Sequence, residues 1–445
     1  MTPFRKTLLA ALAGALCAAP AWSLDLLQVY DTALAQDATV RAARAAADAG
    51  RERLPQARAQ LLPNLSFSGS RFNNNLNRSQ PNALGIPTTF QDSYLSDNDT
   101  LTLRQALFRK PLWDAYEQAK FVVADVDAVL ERELKNLGMR VSGAYLEALL
   151  ARDQLELVLA QKTFMTTALE VARKTFAAGT GTRTDIDEAQ AKLDMTLAQE
   201  VEARQHLEFT RRQLEVLISQ PVDTLEPLNV ARMPLLPPAP ALLDDWIQRA
   251  EAANPEILSL KARVEAARLE VKKAQGGHYP TVDAVAQYIY SSSENVNTPN
   301  SSYTNKTIGV QVTVPLYAGG YVNSTVRQAL AQQQQAEETL EAARRDLGVR
   351  VHKEFRGVSE GVTRVKALEQ AALSAEQLLL SSRKSFQAGA RTLSDVLYAE
   401  QQKQVTLRDL AQARYVYLIS RIRLFALAGA GARDGIEETN AWLGR

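Results

Sequence analysis

R-K-T-F-A-A-G-T-G-T-R-T-D-I, from Arg173 to Ile186, and R-K-S-F-Q-A-G-A-R-T-L-S-D-V, from Arg383 to Val396, are two copies of one segment. Arg, Lys, Phe, Ala, Gly, Thr and Asp coincide at a constant offset of 210 (389 − 179). A repeat over that distance means that the chain builds one structural unit twice. In each copy a Gly-containing break separates two long helix-periodic stretches. Each unit therefore contains a helical hairpin, with Gly179 and Gly389 expected as the left-handed turn residues.

The match spreads outward from these turns. At the same offset Gly138, Arg140 and Val141 face Gly348, Arg350 and Val351, and Arg204, Arg211 and Leu214 face Arg414, Arg421 and Leu424. Upstream the offset becomes 217, where Ala33, Val40, Arg51 and Pro63 face Ala250, Ile257, Arg268 and Pro280. Each copy has the same parts in order. A helical stretch (26–60 or 242–275) is followed by a strand pair (64–108 or 281–317). A long helix, a tight turn and a returning helix then complete the copy (112–219 or 320–428). The Pro-rich segment 220–241 joins the copies, and 429–445 closes the chain.

The long helices carry coiled-coil spacing. Val322, Val326, Ala329, Gln333, Ala336, Leu340, Ala343 and Leu347 step alternately by 4 and 3, as a heptad seam does. Val351 and Phe355 continue in steps of 4, a stutter, before Val358, Val362 and Val365 resume the pattern. A helix of about 65 residues at ~1.5 Å each is roughly 100 Å long, which suits a rod or tube rather than a compact core.

The strands alternate. Thr307–Val314 and Thr100–Arg104 place apolar residues at every second position, as do Asn64–Phe72 and Thr281–Tyr290. The longer ones approach the ~9 residues of a membrane-spanning strand. Polar stretches, Asn73–Asp99 and Ser291–Lys306, are expected as long loops. Aromatic residues near the strand ends, among them Phe72, Phe108, Trp113, Tyr279, Tyr290 and Tyr317, suit an interfacial girdle. Four strands cannot close a barrel, and an open edge in lipid is too costly. Two copies would supply about eight strands and three about twelve, both within the known range.

Arg5 and Lys6, then the apolar run Leu8–Ala19 and the small residues before Leu24, have the form of a secretory signal, with cleavage expected after Ser23. The only cysteine, Cys17, lies inside it. The bulky Leu16 before Cys17 argues against a lipid anchor there. The remaining chain holds no disulfide. The 51 basic and 50 acidic residues balance to a net charge of +1, so nothing points to a nucleic-acid partner.

With these features in place the chain resembles the TolC family of outer-membrane channel-tunnels. The residues that carry the resemblance are V-P-L-Y-A-G-G (Val314–Gly320), its partner Q-A-L-F-R-K-P-L-W (Gln105–Trp113), A-G-A-R-T-L-S-D-V-L (Ala388–Leu397) and A-R-Y-V-Y-L (Ala413–Leu418). The resemblance implies a mostly α protein with membrane β. It implies a homotrimer whose twelve strands form one β-barrel in the outer-membrane lipid, continued by an α-helical barrel across the periplasm. The segments 220–241 and 429–445 would form an equatorial belt. It further implies a passive exit duct for type I protein secretion or multidrug efflux. The duct would dock a periplasmic adaptor (membrane fusion) protein and an inner-membrane ABC or RND-type transporter, without catalysis or cofactor.

The same resemblance assigns roles around the turns. Asp395 corresponds to an aspartate of the closing ring and Arg391 to the arginine of a polar link, with Thr184 and Asp185 as its partners on the neighbouring helix pair. Tyr398 stands where a second ring aspartate is common, and Phe386 where a tyrosine is. Gly179, Gly389, Thr182 and Thr392 would shape the turns and meet the adaptor. Helix capping is the plainer role for the polar residues here, and Thr184 and Ser394 are the expected caps.

No catalytic motif competes. His206, His278 and His352 lack ligand spacing, so no metal site is expected. A surface or periplasmic structural coiled-coil protein would account for the helices but not for the alternating strands. A secreted enzyme has no candidate site.

Overall fold

The computed structural model describes Leu24 to Gly444 apart from residues 296 and 297, so the expected signal segment and Cys17 lie outside the described residues. The elements run α1 (Leu26–Gln36), α2 (Ala38–Arg51), α3 (Arg53–Ala59), β1 (Asn64–Pro81), β2 (Pro87–Phe108), α4 (Lys110–Ala177), α5 (Arg183–Ile218), α6 (Leu243–Ala253), α7 (Pro255–Gln275), β3 (Thr281–Asn295), β4 (Thr298–Thr313), α8 (Tyr321–Gln387), α9 (Leu393–Leu427) and α10 (Ala432–Asn440). The strand-pair and helix-hairpin unit therefore occurs twice, in the expected order. Among the described residues no helix is long and apolar enough to cross a membrane.

The chain divides into two compact units. One comprises 45–128 and 258–342 and holds the sheet. Its four strands form an antiparallel sheet in the order β1-β2-β3-β4. Registers place Leu65, Leu103, Ala286 and Ile308 in one row, and Phe67, Leu101, Tyr288 and Lys306 in the next row of that face. The opposite face carries Ser66, Thr102, Gln287 and Thr307. Apolar residues on the first face are open to the surroundings: Phe67 is 69% exposed and Ile308 89%. A band of that kind on a sheet suits lipid. At the sheet base Asp283, nearly buried, accepts from Arg104 Nη2 at 2.6 Å and from Arg109 Nε at 2.7 Å, tying the C-terminal end of β2 to β3.

The strands run further than the apolar alternation indicated. Most of Asn73–Asp99, expected as a loop, is paired strand, and the turn is only Asn82–Ile86. Ser291–Asn295 and Thr298–Lys306 are likewise strand. Beyond the apolar band residues of both parities are mostly polar, so the hydrophobic period disappears while ladder hydrogen bonding persists. The other end stops short: β4 ends at Thr313, not at Tyr317. Pro315 has no N–H for a ladder, and Leu316 and Tyr317 stand about nine-tenths exposed.

The second unit comprises residues up to Arg44, 129–257 and from 343 onward. The upstream helical stretches are broken at matched places. Asn254 precedes Pro255, which drives it out of the helical region, and its ψ is 124°. Its Oδ1 accepts from Glu256 N at 2.9 Å and so starts α7. Asp37, its counterpart at offset 217, has ψ 123° and accepts from Val40 N at 2.9 Å. Burial pushes the Asp37 carboxyl pKa up, but hydrogen bonds from Thr39 and Val40, with nearby Arg140, outweigh it and hold the carboxyl below its ordinary range.

The heptad seam of α8 is largely confirmed: Ala329, Leu340, Leu347, Val351, Val358, Val362 and Val365 are buried. At the stutter the buried position falls on Glu354, with Arg423 3.9 Å away, rather than on Phe355. The segment after α5 lies on this unit through the A-R-Y-V-Y-L residues. Tyr417 Oη donates to Pro234 O or Leu236 O and accepts from Leu236 N at 3.2 Å, and Tyr415 Oη donates to Asp153 at 2.7 Å. Leu225 bridges Leu24 and Leu228 bridges Leu443, so the connector meets both ends of the described chain. The repeated arginines do related work: Arg211 donates to Val222 O and Arg421 to Glu438 at 2.7 Å.

Candidate functional site: the two helix turns

Each long helix ends in the same hydrogen-bonded cap. Gly179 N donates to Phe176 O and Thr180 N to Thr175 O, both at 3.0 Å. Gly389 N donates to Phe386 O at 3.0 Å and Ala390 N to Ser385 O at 2.8 Å. These are Schellman closures, which need a left-handed residue at the glycine. The φ angles of Gly179 and Gly389 are 76° and 75°.

The returning helices then open on capping boxes. Thr182 and Thr392 are the caps, not Thr184 and Ser394 as expected. Thr182 Oγ1 accepts from Asp185 N at 3.2 Å, and Asp185 Oδ2 accepts from Thr182 N at 2.8 Å. Thr392 and Asp395 repeat the exchange at 3.3 and 2.9 Å. The reciprocal exchange requires the cap three residues before its acidic partner. T-x-x-D at Thr182–Asp185 and Thr392–Asp395 meets that spacing, whereas Thr184 and Ser394 are immediate neighbours of the aspartates. That spacing was the available signal. Bonds from the Thr392 backbone N–H and hydroxyl hold the Asp395 carboxyl below its ordinary range, with help from Arg391.

The other expected residues separate by environment. Arg391 donates through Nη1 to Ser382 Oγ at 2.9 Å, within its own hairpin, and Ser382 is fully buried. Thr184 is exposed and Tyr398 is 67% exposed. Phe386 is half-buried, whereas its repeat counterpart Phe176 is 45% exposed. Each hairpin is also braced by its repeated arginine: Arg173 reaches Gln190 at 3.3 Å, and Arg383 approaches Glu400 at 3.9 Å.

Links that the sequence did not indicate join the two hairpins. Ser394 Oγ donates to Glu188 Oε1 at 3.0 Å, and Lys192 Nζ donates to Gln401 Oε1 at 2.9 Å. Behind these links Leu393 and Leu397 of α9 are buried with Met165, Ala168, Leu169 and Ala172 of α4 and Ala189 of α5. Phe386 and Phe164 pack at its margin. Leu393 and Leu397 correspond to Arg183 and Asp187 in the first copy, so the clasp uses positions at which the repeat has diverged. A groove of ≈ 490 Å³ continues between α4, α5 and α9, lined by Gln154, Gln161, Met195, His206, Gln401 and Arg408 among others.

The arrangement contains two capped turns, one apolar clasp and a thin layer of polar links. The family described as outer membrane efflux protein matches residues 29–220 and 246–430, one stretch for each repeat. The chain is 31% identical over 443 residues to the proteases secretion protein PrtF of Dickeya chrysanthemi, covering 99% of this chain and 95% of that one. It is 34% identical over 413 residues to the alkaline protease secretion protein AprF of Pseudomonas aeruginosa, covering 92% and 85%. Its fold is similar to the crystal structure of the outer membrane protein VceC of Vibrio cholerae, with a TM-score of 0.78 at 20% identity over 91% and 96% of the two chains.

Proposed function

This chain belongs to the outer membrane efflux protein family, and from that membership we propose that it is a trimeric outer-membrane exit duct serving type I protein secretion. The observation that carries the reading is the duplicated unit itself: an apolar-banded strand pair joined to a long helical hairpin, twice per chain. Three chains would supply twelve strands for a closed barrel and six helical hairpins for a tunnel. Secretion is favoured over drug efflux by the near full-length likeness to PrtF and AprF, whose names record the secretion of proteases.

In this reading residues 1–23 are removed on export, 24–445 form the protomer, and 220–241 with 429–445 form the belt that Tyr417 and Arg421 hold. The turns at Gly179 and Gly389 are the periplasmic tips, where Thr182 and Thr392 meet an adaptor beneath which an inner-membrane ABC transporter docks. Asp395, Arg391, Asp185, Thr184, Tyr398 and Phe386 surround the aperture. The protein contributes passage rather than chemistry.

Reconstitution into planar lipid bilayers tests this. Long-lived conductance steps are expected, with larger steps when Arg391 and Asp395 are both replaced by alanine. A chain released from membranes by salt alone, or one that never conducts, would overturn the reading.

A further inference from the structure

The threefold assembly proposed above leaves the seam between copies undescribed, and on that premise the internal repeat fixes its register. Asn64 of β1 lies opposite Arg104 of β2, and Thr281 of β3 opposite Thr313 of β4. β3 therefore follows β1 by 217 residues (281 − 64) and β4 follows β2 by 209 (313 − 104). Within the chain the two hairpins join through β2 and β3, with Thr100 opposite Ile289 and Gln105 opposite Ala284. After a bulge between Ala106 and Phe108, Phe108 lies opposite Val282. The β4 edge and the β1 edge have no strand beside them among the described residues.

On that premise β4 of one chain meets β1 of a second copy, and we propose that the two pair in the register of this same joint, translated by the two offsets. Gly309 then lies opposite the partner's Phe72, Ile308 opposite the partner's Asn73 and Val314 opposite the partner's Phe67. Beyond the bulge Tyr317 lies opposite the partner's Leu65.

Three observations agree with it. The faces match: Val310, Val312 and Val314 fall beside Arg71, Gly69 and Phe67, which share the face of Leu65. A one-residue slip would turn every one of them to the wrong side. The strand glycine is matched as well. A Cβ at Gly309 would meet nothing within 4 Å, and Phe72 is 58% exposed on the same face of the sheet. An aromatic ring laid across an edge glycine is a known way to pin a register. A slip of two residues would set Phe72 against Thr307 or Gln311. Lastly, Pro315 falls at the position of Ala106, the last paired residue before the bulge, and a proline is tolerated beside a bulge, where a missing N–H costs little. The exposure of Leu316 and Tyr317 in a single chain follows, because their cover is the next copy.

Cross-linking decides the register. The only cysteine, Cys17, lies in the segment expected to be removed, so introduced cysteines report alone. Ile308→Cys with Asn73→Cys is compared with Ile308→Cys/Arg71→Cys and Ile308→Cys/Asn75→Cys, each in the full chain in outer-membrane vesicles oxidised with copper phenanthroline. Directly opposed Cβ atoms lie within disulfide reach and those two residues away do not, so the first pair is expected to give at least about fivefold more covalent dimer and trimer. A higher yield from either shifted pair overturns the register while leaving the trimer intact. No cross-link from any pair, in a particle with the mass of three chains, overturns the β4–β1 seam. A particle with the mass of one chain overturns the threefold premise and the register with it. Exchanging the contact gives a second readout. Phe72→Gly and Gly309→Phe are each expected to lower the temperature at which the oligomer dissociates on gels, and the double variant to recover it. Additive losses count against the contact.

Discussion

Ser394, on the second helical hairpin, donates its hydroxyl to Glu188 on the first at 3.0 Å. This link, like that from Lys192 to Gln401, crosses from one repeat to the other, and both of its residues are open to solvent or nearly so. An exposed bond of that kind is worth little. Leu397, three residues further along the same helix, is 1% exposed and belongs to the apolar clasp. Replacing Leu397 by alanine is expected to cost about 2–5 kcal/mol, the range for a buried leucine. Glu188→Gln should cost under about 1 kcal/mol. Bilayer recordings should show more frequent opening for Leu397→Ala and little change for Glu188→Gln. Equal effects would mean that the polar link holds the hairpins.

The caps can be told apart by substitution. Thr392→Ala removes an oxygen that accepts from Asp395 N and is expected to lower stability by ~1 kcal/mol. Thr184→Ala and Ser394→Ala remove hydroxyls that cap nothing and should lie within about 0.5 kcal/mol of the parent. Thermal unfolding in detergent measures all three. A larger loss from Ser394→Ala than from Thr392→Ala would contradict the observed capping.

Gly389 has a φ of 75°. A β-branched residue there must adopt the left-handed region, at a cost of roughly 1–2 kcal/mol. Gly389→Val should therefore expose the turn to trypsin after Arg391 at lower temperature, whereas Ala390→Val should not. Equal protection in both variants would show that the turn tolerates strain elsewhere.

The Asp395 carboxyl is held below its ordinary pKa of 3.8 by the Thr392 N–H and hydroxyl. A carboxyl depressed in the folded state adds its stabilisation at pH above the unfolded value and loses it as pH falls through the folded value. The contribution of this cap should therefore be constant from neutral pH down to the ordinary carboxyl range and vanish below 3.8. Conductance traces should show no opening transition assignable to Asp395 above that range. A transition near neutral pH that Asp395→Asn abolishes would refute this assignment.

Tyr417→Phe leaves Leu236 N without its bond to the Tyr417 oxygen and removes the donor available to Pro234 O and Leu236 O. Losing a part-buried hydrogen bond of this kind costs about 0.5–1.5 kcal/mol. Proteolysis should then nick the connector between Pro221 and Pro240 sooner, with the long helices still intact. Unchanged cleavage would mean that Leu225 and Leu228, through their bridges to Leu24 and Leu443, suffice to hold it.

The helical hairpins, the strand pairs and the glycine turns were legible because each carries a local period or a residue that only one conformation suits. Gly179 and Gly389 announce themselves by conformational freedom, and the α8 seam by its 4-3 steps. The distal strands were not legible. Asn73 to Asn77 and Gln91 to Ser93 are almost wholly polar in sequence, so pairing leaves no trace in the hydrophobic pattern. Leu393 and Leu397 were missed for a different reason. Their importance comes from contact with Ala172 and Ala189, some 200 residues away, and the internal match draws attention to shared positions rather than to divergent ones. Glu188 and Gln401 were overlooked in the same way.

The two turns share a backbone but not a surface: one presents G-T-G-T-R-T-D and the other G-A-R-T-L-S-D. Three chains around an axis would therefore present a pseudo-sixfold ring whose six vertices alternate between two chemistries. A partner built from six identical arms would find alternate seats inequivalent, and one built from three would find a single kind that fits. The symmetry mismatch is thus written into the chain, and the stoichiometry of any complex at this end would reveal which kind of vertex is recognised.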